Sequence, residues 1–182
     1  LLASYTDEIN DTTLTDSAFN AITFGDGEYT AALDGESYWG HAFEVELERS
    51  TGDYWVSGNY QEKSPTFRAD NGFEPQNNSR RPGANVGCIT RFEESDIWEN
   101  INGSVDLARK WNFDGVKKDE WVNANLELKF RAAQTGIHSS YMRSNELFRG
   151  IQFNDIWQAH TCFHTQPWEQ LNMGANFNYG HR

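Results

Sequence analysis

Strict alternation of apolar and polar residues is the feature that most constrains what this chain can fold into. Between Val122 and Arg131 the alternation has no exception, with Leu126 and its apolar neighbours on even positions. Because successive side chains of a strand point to opposite faces, the pattern predicts β-strands with one apolar and one polar face. The same pattern recurs in four other runs, which are Trp39–Glu48, Tyr54–Gln61, Ile97–Trp111 and Gln170–Tyr179.

Weaker sequence patterns predict further strands and short turns between them. Four further strands are predicted, at Asn85–Phe92, Thr135–Met142, Leu147–Phe153 and Ile156–Thr165. Turn residues predict hairpin links, because Gly, Asn, Asp and Ser favour turn conformations. These links are Ser50–Asp53, Asp114–Gly115 with Lys117–Asp119, and Ser144–Glu146.

Two irregular stretches predict loops rather than strands. Thr6–Ser17 is acidic and rich in Thr, and Ser64–Pro82 contains three prolines, which interrupt a hydrogen-bonded ladder. Within the second stretch, Asp70-Asn71-Gly72 predicts a tight turn. Neither a helical stripe nor a β–α–β rhythm is visible, so residues 1–182 are interpreted as a single all-β unit.

Strand length and ring placement favour a membrane barrel over a soluble sandwich. The clean runs last eight to fifteen residues, whereas soluble strands last about 5–6 and bilayer-crossing strands need about 9–11. Seven tryptophans gather near run ends, which suits the headgroup boundary of a bilayer. They are Trp39, Trp55, Trp98, Trp111, Trp121, Trp157 and Trp168. The predicted fold is an antiparallel up-and-down transmembrane β-barrel of about 8–10 strands.

Composition and charge exclude several classes of protein. The formal net charge of −12 leaves no surplus of Lys and Arg for binding nucleic acid. The content of large rings is too high for a disordered chain. No apolar run approaches the ~18 residues that a membrane-spanning helix requires. Because the chain starts at Leu1 without an initiator Met or a secretory signal, we expect it to be part of a longer chain.

The segment Ser64-Pro65-Thr66-Phe67-Arg68-Ala69-Asp70-Asn71-Gly72-Phe73 carries a family resemblance, together with Tyr54-Trp55 before it and Arg80-Arg81 after it. It resembles the barrel region of a bacterial outer-membrane family of unknown function. In that family the barrel usually follows a module similar to family-9 carbohydrate-binding domains. The resemblance implies a cell-surface location, a chain with missing strands, and an association with glycans or export.

Charged residues on the polar faces are the candidate binding residues of a lumen. Glu44, Glu46 and Glu48 share one face of a strand, and Glu127, Lys129 and Arg131 share another. Glycoside hydrolases also use paired carboxylates as catalytic groups, but glutamates at alternate positions of any strand have a similar spacing. We therefore interpret the three glutamates as a source of lumen charge, or as partners of Lys129, Arg131 and Arg109 across strands.

A metal site is the sharpest chemical hypothesis. His160, Cys162 and His164 fall on one side of a predicted strand, and imidazole and thiolate groups are Zn²⁺ ligands. A fourth ligand would have to come from His138 or Glu169, and residues of a polar lumen are the simpler interpretation. No cofactor is predicted. The sequence leaves open whether Cys88 and Cys162 form a disulfide.

The predicted function is that of an integral outer-membrane barrel with a polar lumen, acting as a channel, a surface scaffold or a component of transport or secretion. Its predicted partners are the lipid bilayer, other outer-membrane or secretion components, and glycans. One alternative is a secreted β-sandwich that binds, or less readily cleaves, polysaccharide. Another is a soluble zinc enzyme. No phosphate-binding loop, nucleophile elbow or His-Glu-x-x-His motif is present, so enzymatic chemistry has no support.

Overall fold

The computed structural model describes residues 1–11, 13, 22–25, 27–30, 32–68 and 77–181 of the chain. Over these residues the protein is all-β, with a short 3-10 turn at Ala132–Gln134. No helix among them has the length and apolar character needed to cross a membrane.

Eleven strands lie in the described part of the chain. Three are short and lie near the N-terminus, whereas eight have ten or more residues. Their bounds are β1 Leu2–Asp7, β2 Thr23–Phe24, β3 Tyr29–Thr30, β4 Ser37–Ser50, β5 Tyr54–Lys63, β6 Ser79–Arg91, β7 Trp98–Trp111, β8 Lys117–Phe130, β9 Gly136–Phe148, β10 Ile151–Trp168 and β11 Leu171–Gly180.

The strands form one nine-stranded antiparallel sheet and a separate two-stranded one. The order of the large sheet is β1-β4-β5-β6-β7-β8-β9-β10-β11, so the long strands follow one another up and down as predicted. The small sheet pairs β2 with β3. The order of the large sheet is linear: in the described residues β1 and β11 do not pair, and the sheet is not closed into a barrel. The predicted topology and strand number are thus confirmed, whereas closure is not shown.

The hairpin between β9 and β10 differs from the sequence-based expectation. Arg149 and Gly150 have φ of 50° and 78°, and Phe148 pairs with Ile151 across them. Two successive residues with positive φ form the tight turn whose twist matches a hairpin. The prediction of a turn at Ser144–Glu146 is therefore wrong, since those residues belong to β9. The strand predicted at Leu147–Phe153 is divided between β9 and β10.

Three other strands, β1, β6 and β8, include residues that were predicted to lie in loops or turns. The turn after β7 is closed by hydrogen bonds between Asn112 and Val116, so Lys117–Asp119 belongs to β8 instead of to the turn. Strand β6 begins at Ser79 and includes Pro82, which was predicted to lie in a loop. Thr6 and Asp7 belong to β1. The predicted turn at Asp70-Asn71-Gly72 lies outside the described residues.

The chain divides into two compact units. The first unit comprises Leu1–Val45, Tyr60–Arg81 and Lys110–Lys117, and the second comprises Glu46–Asn59, Pro82–Arg109 and Lys118–Arg182. In the first unit, the ring of Tyr38 is 2% exposed and its centroid lies 5.3 Å from that of Phe24 and 5.1 Å from that of Tyr29. This unit therefore has a small aromatic core.

A close backbone contact completes the packing of the first unit. A Cβ added at Gly40 would clash with the Cα of Phe67, so the segment carrying Phe67 packs directly on β4. Thr66 donates its hydroxyl hydrogen to the carbonyl of Trp39 at 2.6 Å, and the amide of His41 donates to the Ser64 hydroxyl at 2.9 Å. Phe67 is 5% exposed as a result.

The second unit has a different interior. Its described residues that are buried and carry polar side chains include Asn100 and Ser144, whereas the described large apolar residues of its strands are half-buried or exposed. Leu126 is 44% exposed and Phe177 is 67% exposed. Apolar burial therefore contributes little to the packing of this unit in the described residues.

Candidate functional site in the polar face

The candidate site lies on the polar face of the second unit, where Asn and Asp side chains link three strands. Asn85 of β6 donates to Asp106 of β7 at 2.5 Å, and Asn125 of β8 donates to the other carboxylate oxygen of Asp106 at 2.9 Å. Asn102 of β7 donates to Glu127 of β8 at 3.5 Å. Asp106 thus joins β6 and β8 through its two oxygens.

The strand register carries this polar face onward through β9, β10 and β11. Glu127 is opposite His138, His138 is opposite Cys162, and Cys162 is opposite Asn176. Residues directly opposite one another in an antiparallel pair point to the same face. A second polar row, one step along the strands, consists of Asn125, Ser140, His160 and Asn178.

Residues at the alternate positions of these strands, between the two polar rows, point to the other face of the sheet. Leu126 is opposite Ser139, Ser139 is opposite Thr161, and Thr161 is opposite Phe177. Tyr141, Trp157 and Tyr179 meet on the same side, with ring centroids 6.2 Å apart for Tyr141 and Trp157 and 5.3 Å apart for Trp157 and Tyr179. This face of the second unit, which we call the apolar face, is largely exposed.

A cleft opens on the polar face. Its volume is about 640 Å³, and it is lined by Asp106, Trp121, Asn123, Ser140, Gln158 and His160, among others. Nearly all of these side chains can donate or accept hydrogen bonds, and the carboxylate of Asp106 adds a negative charge. Such a surface can bind water and polar solutes.

The predicted charged residues are only partly brought together. Glu44, Glu46 and Glu48 lie on β4 and are exposed. Lys129 pairs with Glu127 of its own strand at 3.5 Å, and Arg109 pairs with Glu120 at 2.8 Å.

Arg131 has a structural role in the described residues. It follows the end of β8 and donates to the backbone carbonyls of Ser95 and Phe92, each at 2.7 Å. It therefore anchors the connection before β7 instead of lining the cleft.

The predicted metal ligands share the polar face but are spread along it. The imidazole of His164 lies over Gly136, and the ring centroids of His138 and His160 are 6.1 Å apart. His138, proposed as a fourth ligand, is indeed opposite Cys162. Among the described residues, however, the groups of three ligand atoms within 4.8 Å of one another do not include His160, Cys162 and His164. Zinc binding here stays a prediction.

Both cysteines are free thiols, which answers the question that the sequence left open. Cys162 is half-buried on the polar face, and Cys88 is exposed on β6. Alternation along β6 places Cys88 on the opposite face from Asn85, together with Val86. The two thiols of the second unit therefore lie on different faces of the sheet.

The seven tryptophans do not all lie at strand ends, where the sequence predicted them. Trp39 is 71% exposed and Trp168 is 66% exposed, and both lie near the ends of their strands. Trp98 and Trp111 are the two end residues of β7. Trp157 lies in the interior of β10, since that strand is longer than predicted.

Two of the predicted interface rings lie on the polar face. Trp121 lines the cleft, and the ring of Trp55 occupies the space beside Gly87. Sequence analysis missed this, because it placed every tryptophan by its distance from a run end instead of by its parity in the strand. It also missed the Asn and Asp network, whose signal was the repetition of Asn at alternate positions.

Comparison of the chain with protein-family models, with curated proteins and with solved structures finds no match. The resemblance to an outer-membrane family is not tested by this outcome and stays a prediction, as does the glycan association that it implies.

Proposed function

We propose that this chain forms part of the wall of a bacterial outer-membrane β-barrel with a polar lumen, acting as a channel, a surface scaffold or a component of a transport or secretion assembly. The observation that carries the proposal is the contrast between the two faces of the second unit. Apolar side chains are exposed on one face, while polar side chains are linked by hydrogen bonds on the other.

The energetics of exposed apolar residues favour a lipid environment for the apolar face. Soluble monomers rarely expose large contiguous apolar surfaces, and each buried apolar Å² is worth roughly 25 cal/mol. In an outer-membrane barrel the same alternation is reversed relative to a soluble protein, with apolar residues outward and polar residues towards the lumen. Exposed Leu126, Phe177 and Tyr179 match the outward row.

Strand length supports the same proposal. β4, β7 and β8 each have 14 residues and β10 has 18, whereas a tilted strand needs about 9–11 residues to cross a bilayer. A barrel must close, because unpaired backbone groups at an edge are costly in lipid. The proposal therefore requires further strands, or pairing of β1 with β11, in the membrane.

The alternative proposal is a secreted β-sandwich, which requires the apolar face to be buried against a second sheet. A sandwich buries one face of each sheet against a second sheet, and its core would contain Leu126 and Phe177. The described residues give those side chains no such cover. This observation favours the barrel.

Fractionation tests the proposal directly. Cells expressing the full-length protein are separated into soluble, inner-membrane and outer-membrane fractions, and gel migration is compared with and without boiling. We expect recovery in the outer membrane and a shift in migration on heating. Recovery of folded protein in the soluble fraction would support the sandwich instead.

Thiol labelling in isolated outer membranes tests the orientation of the two faces. A charged, water-soluble maleimide should react with Cys162 on the polar face but should react with Cys88 only after detergent is added. The Cys88→Ser and Cys162→Ser variants assign each signal. Rapid labelling of Cys88 in intact membranes would contradict a lipid-facing position.

A further inference from the structure

Three carboxylates in the first unit converge outside the polar face. Glu8 follows β1, Asp34 and Glu36 precede β4, and one oxygen of each lies within 4.8 Å of an oxygen of the other two. Backbone contacts hold these segments together: the amide of Glu8 donates to the carbonyl of Glu36 at 2.9 Å, and Asn10 forms a β-bridge with Asp34.

Some of the carboxylate oxygens have hydrogen-bond donors. Glu8 Oε1 accepts from the Tyr38 hydroxyl at 2.7 Å and from Arg68 at 3.3 Å. The amide of Thr30 donates to Glu36 Oε2 at 2.8 Å, and its hydroxyl donates to Asp34 Oδ2 at 2.9 Å. These contacts orient all three side chains.

Two oxygens of the cluster are sealed from solvent without a donor. In the described part of the chain, Glu8 Oε2 and Asp34 Oδ1 are buried and accept no hydrogen bond. The side chain of Glu8 is only 4% exposed. A buried carboxylate oxygen without a partner costs about 1–3 kcal/mol or more, so we expect a compensating contact at such an oxygen.

Among the described residues, the negative charge of the cluster is only partly compensated. Three carboxylates are gathered here, and Arg68 is the described cation that the structure pairs with Glu8. Like charges at these separations repel one another when water is excluded. A bound cation of charge two would balance the remaining charge and supply the missing partner for both buried oxygens.

From this geometry we infer that Glu8, Asp34 and Glu36 form a binding site for a divalent cation of the Ca²⁺ class. Carboxylate and hydroxyl oxygens are the ligands that hard cations prefer. Ca²⁺ has ligand distances of about 2.3–2.6 Å, so oxygens up to roughly 4.8 Å apart can contact one ion. Mg²⁺, with distances of about 2.0–2.1 Å and strict octahedral geometry, fits this spacing less well.

The site would fasten the end of β1 to the start of β4. Since Tyr38 is hydrogen-bonded to Glu8, a cation here also supports the aromatic core of the first unit. This inference is independent of the proposed membrane location, because it depends only on residues of the first unit.

Terbium luminescence and thermal unfolding of the full chain in detergent micelles test the inference. Tb³⁺ replaces Ca²⁺ in oxygen sites, and the nearby Tyr38 and Tyr29 rings can sensitise its emission. After treatment with EDTA, we expect sensitised Tb³⁺ emission that Ca²⁺ displaces, and a rise of roughly 3–8 °C in the unfolding midpoint at saturating Ca²⁺. Mg²⁺ should produce a smaller rise.

Matched variants distinguish this site from other acidic residues. Asp34→Asn should abolish both signals, whereas Glu28→Gln, at an exposed carboxylate of the same unit, and Glu46→Gln, on the acidic face of β4, should retain them. In EDTA, Asp34→Asn should unfold at a midpoint no lower than that of the wild type, because it removes one of the repelling charges.

Absence of displaceable Tb³⁺ emission from the wild type would overturn the inference, and so would an equal Ca²⁺ response in Asp34→Asn and Glu28→Gln. Should Asp34→Asn fail to fold, Glu36→Gln takes its place under the same criteria. Failure of these experiments would leave the fractionation and labelling results untouched.

Discussion

The two units of this chain differ in whether any of their described apolar residues are buried. In the first unit Tyr38 and Phe67 are buried, with exposures of 2% and 5%, and Ala32 and Ala42 are buried with them. In the second unit Leu126 of β8 and Phe177 of β11 are exposed, and the buried described residues, among them Asn100 and Ser144, carry no large apolar side chain. The first unit thus has a small buried aromatic core beside exposed rings such as Trp39, whereas the described part of the second unit has no buried aromatic ring.

This difference teaches that the two units derive stability from different sources. Burial of aromatic rings stabilises the first unit through the hydrophobic effect and close packing. The second unit has the long strand ladders and polar network described above, but its apolar rows need an outside partner to leave water. Lipid is the partner that we propose, and single substitutions in each unit can test the contrast.

The largest expected effect is the loss of the Phe67 ring. Phe67→Ala should lower the free energy of unfolding by about 3–5 kcal/mol, because it leaves a cavity against the backbone of β4. Phe177→Ala is the matched comparison, since it removes the same ring from a site that is 67% exposed, and it should cost clearly less than Phe67→Ala because it loses contact with detergent but leaves no cavity. Denaturant titration of both variants in micelles measures the difference. Equal costs would mean that the two units do not differ in the way described.

A charge on the apolar face of the second unit should have the next largest effect. Leu126→Arg should destabilise the protein in lipid vesicles by about 2–4 kcal/mol if the residue lies near the bilayer midplane. Asn123→Arg, on the polar face of the same strand, should cost much less because that face meets water. The folded fraction after urea titration in vesicles measures both. A face that meets water would tolerate Arg at position 126, and that result would remove the main support for a membrane location.

A buried hydrogen bond in the first unit gives a smaller effect. Thr66→Val keeps the shape of the side chain but removes the hydroxyl that donates to the Trp39 carbonyl at 2.6 Å. Because Thr66 is buried, the carbonyl loses its donor without gaining water, and we expect a cost of about 1–2 kcal/mol. Thr90→Val, at an exposed position of β6, is the control and should be close to neutral. An equal effect of the two substitutions in micelles would show that Thr66 is not sealed from water.

Alternation of residue types was enough to predict the all-β class, the up-and-down order and the approximate number of strands. It succeeded because a period of two is imposed by the backbone geometry of every strand, whatever surrounds it. It failed at Ser144–Glu146 and at Lys117–Asp119, where polar residues that favour turns continue a strand. In both places the chain reverses at a different short turn, after Ser144–Glu146 at Arg149–Gly150 and before Lys117–Asp119 between Asn112 and Val116.

The candidate site was harder to predict than the fold. Asp106 and Asn85 become partners only through the register of two strands, and a register depends on where each turn closes. The cluster of Glu8, Asp34 and Glu36 depends on a β-bridge between Asn10 and Asp34, which no local pattern indicates. By contrast, the shared face of His160, Cys162 and His164 follows from parity within one strand, and sequence analysis found it.

The smallest expected effect concerns Asn125 on the polar face. Its side-chain amide donates to Asp106 at 2.9 Å and to Ser104 at 3.4 Å, and its Oδ1 accepts from Asn123 at 3.2 Å, so Asn125→Ala removes three hydrogen bonds. If the polar face lines a hydrated lumen, water replaces the lost donor, and the cost should be about 0.5–1 kcal/mol, below that of Thr66→Val. Denaturant titration in micelles, with Ala124→Ser on the opposite face as a control, measures it. A cost as large as that of Thr66→Val would indicate that the polar face is dry, because only a donor lost without replacement by water carries the full desolvation cost of Asp106.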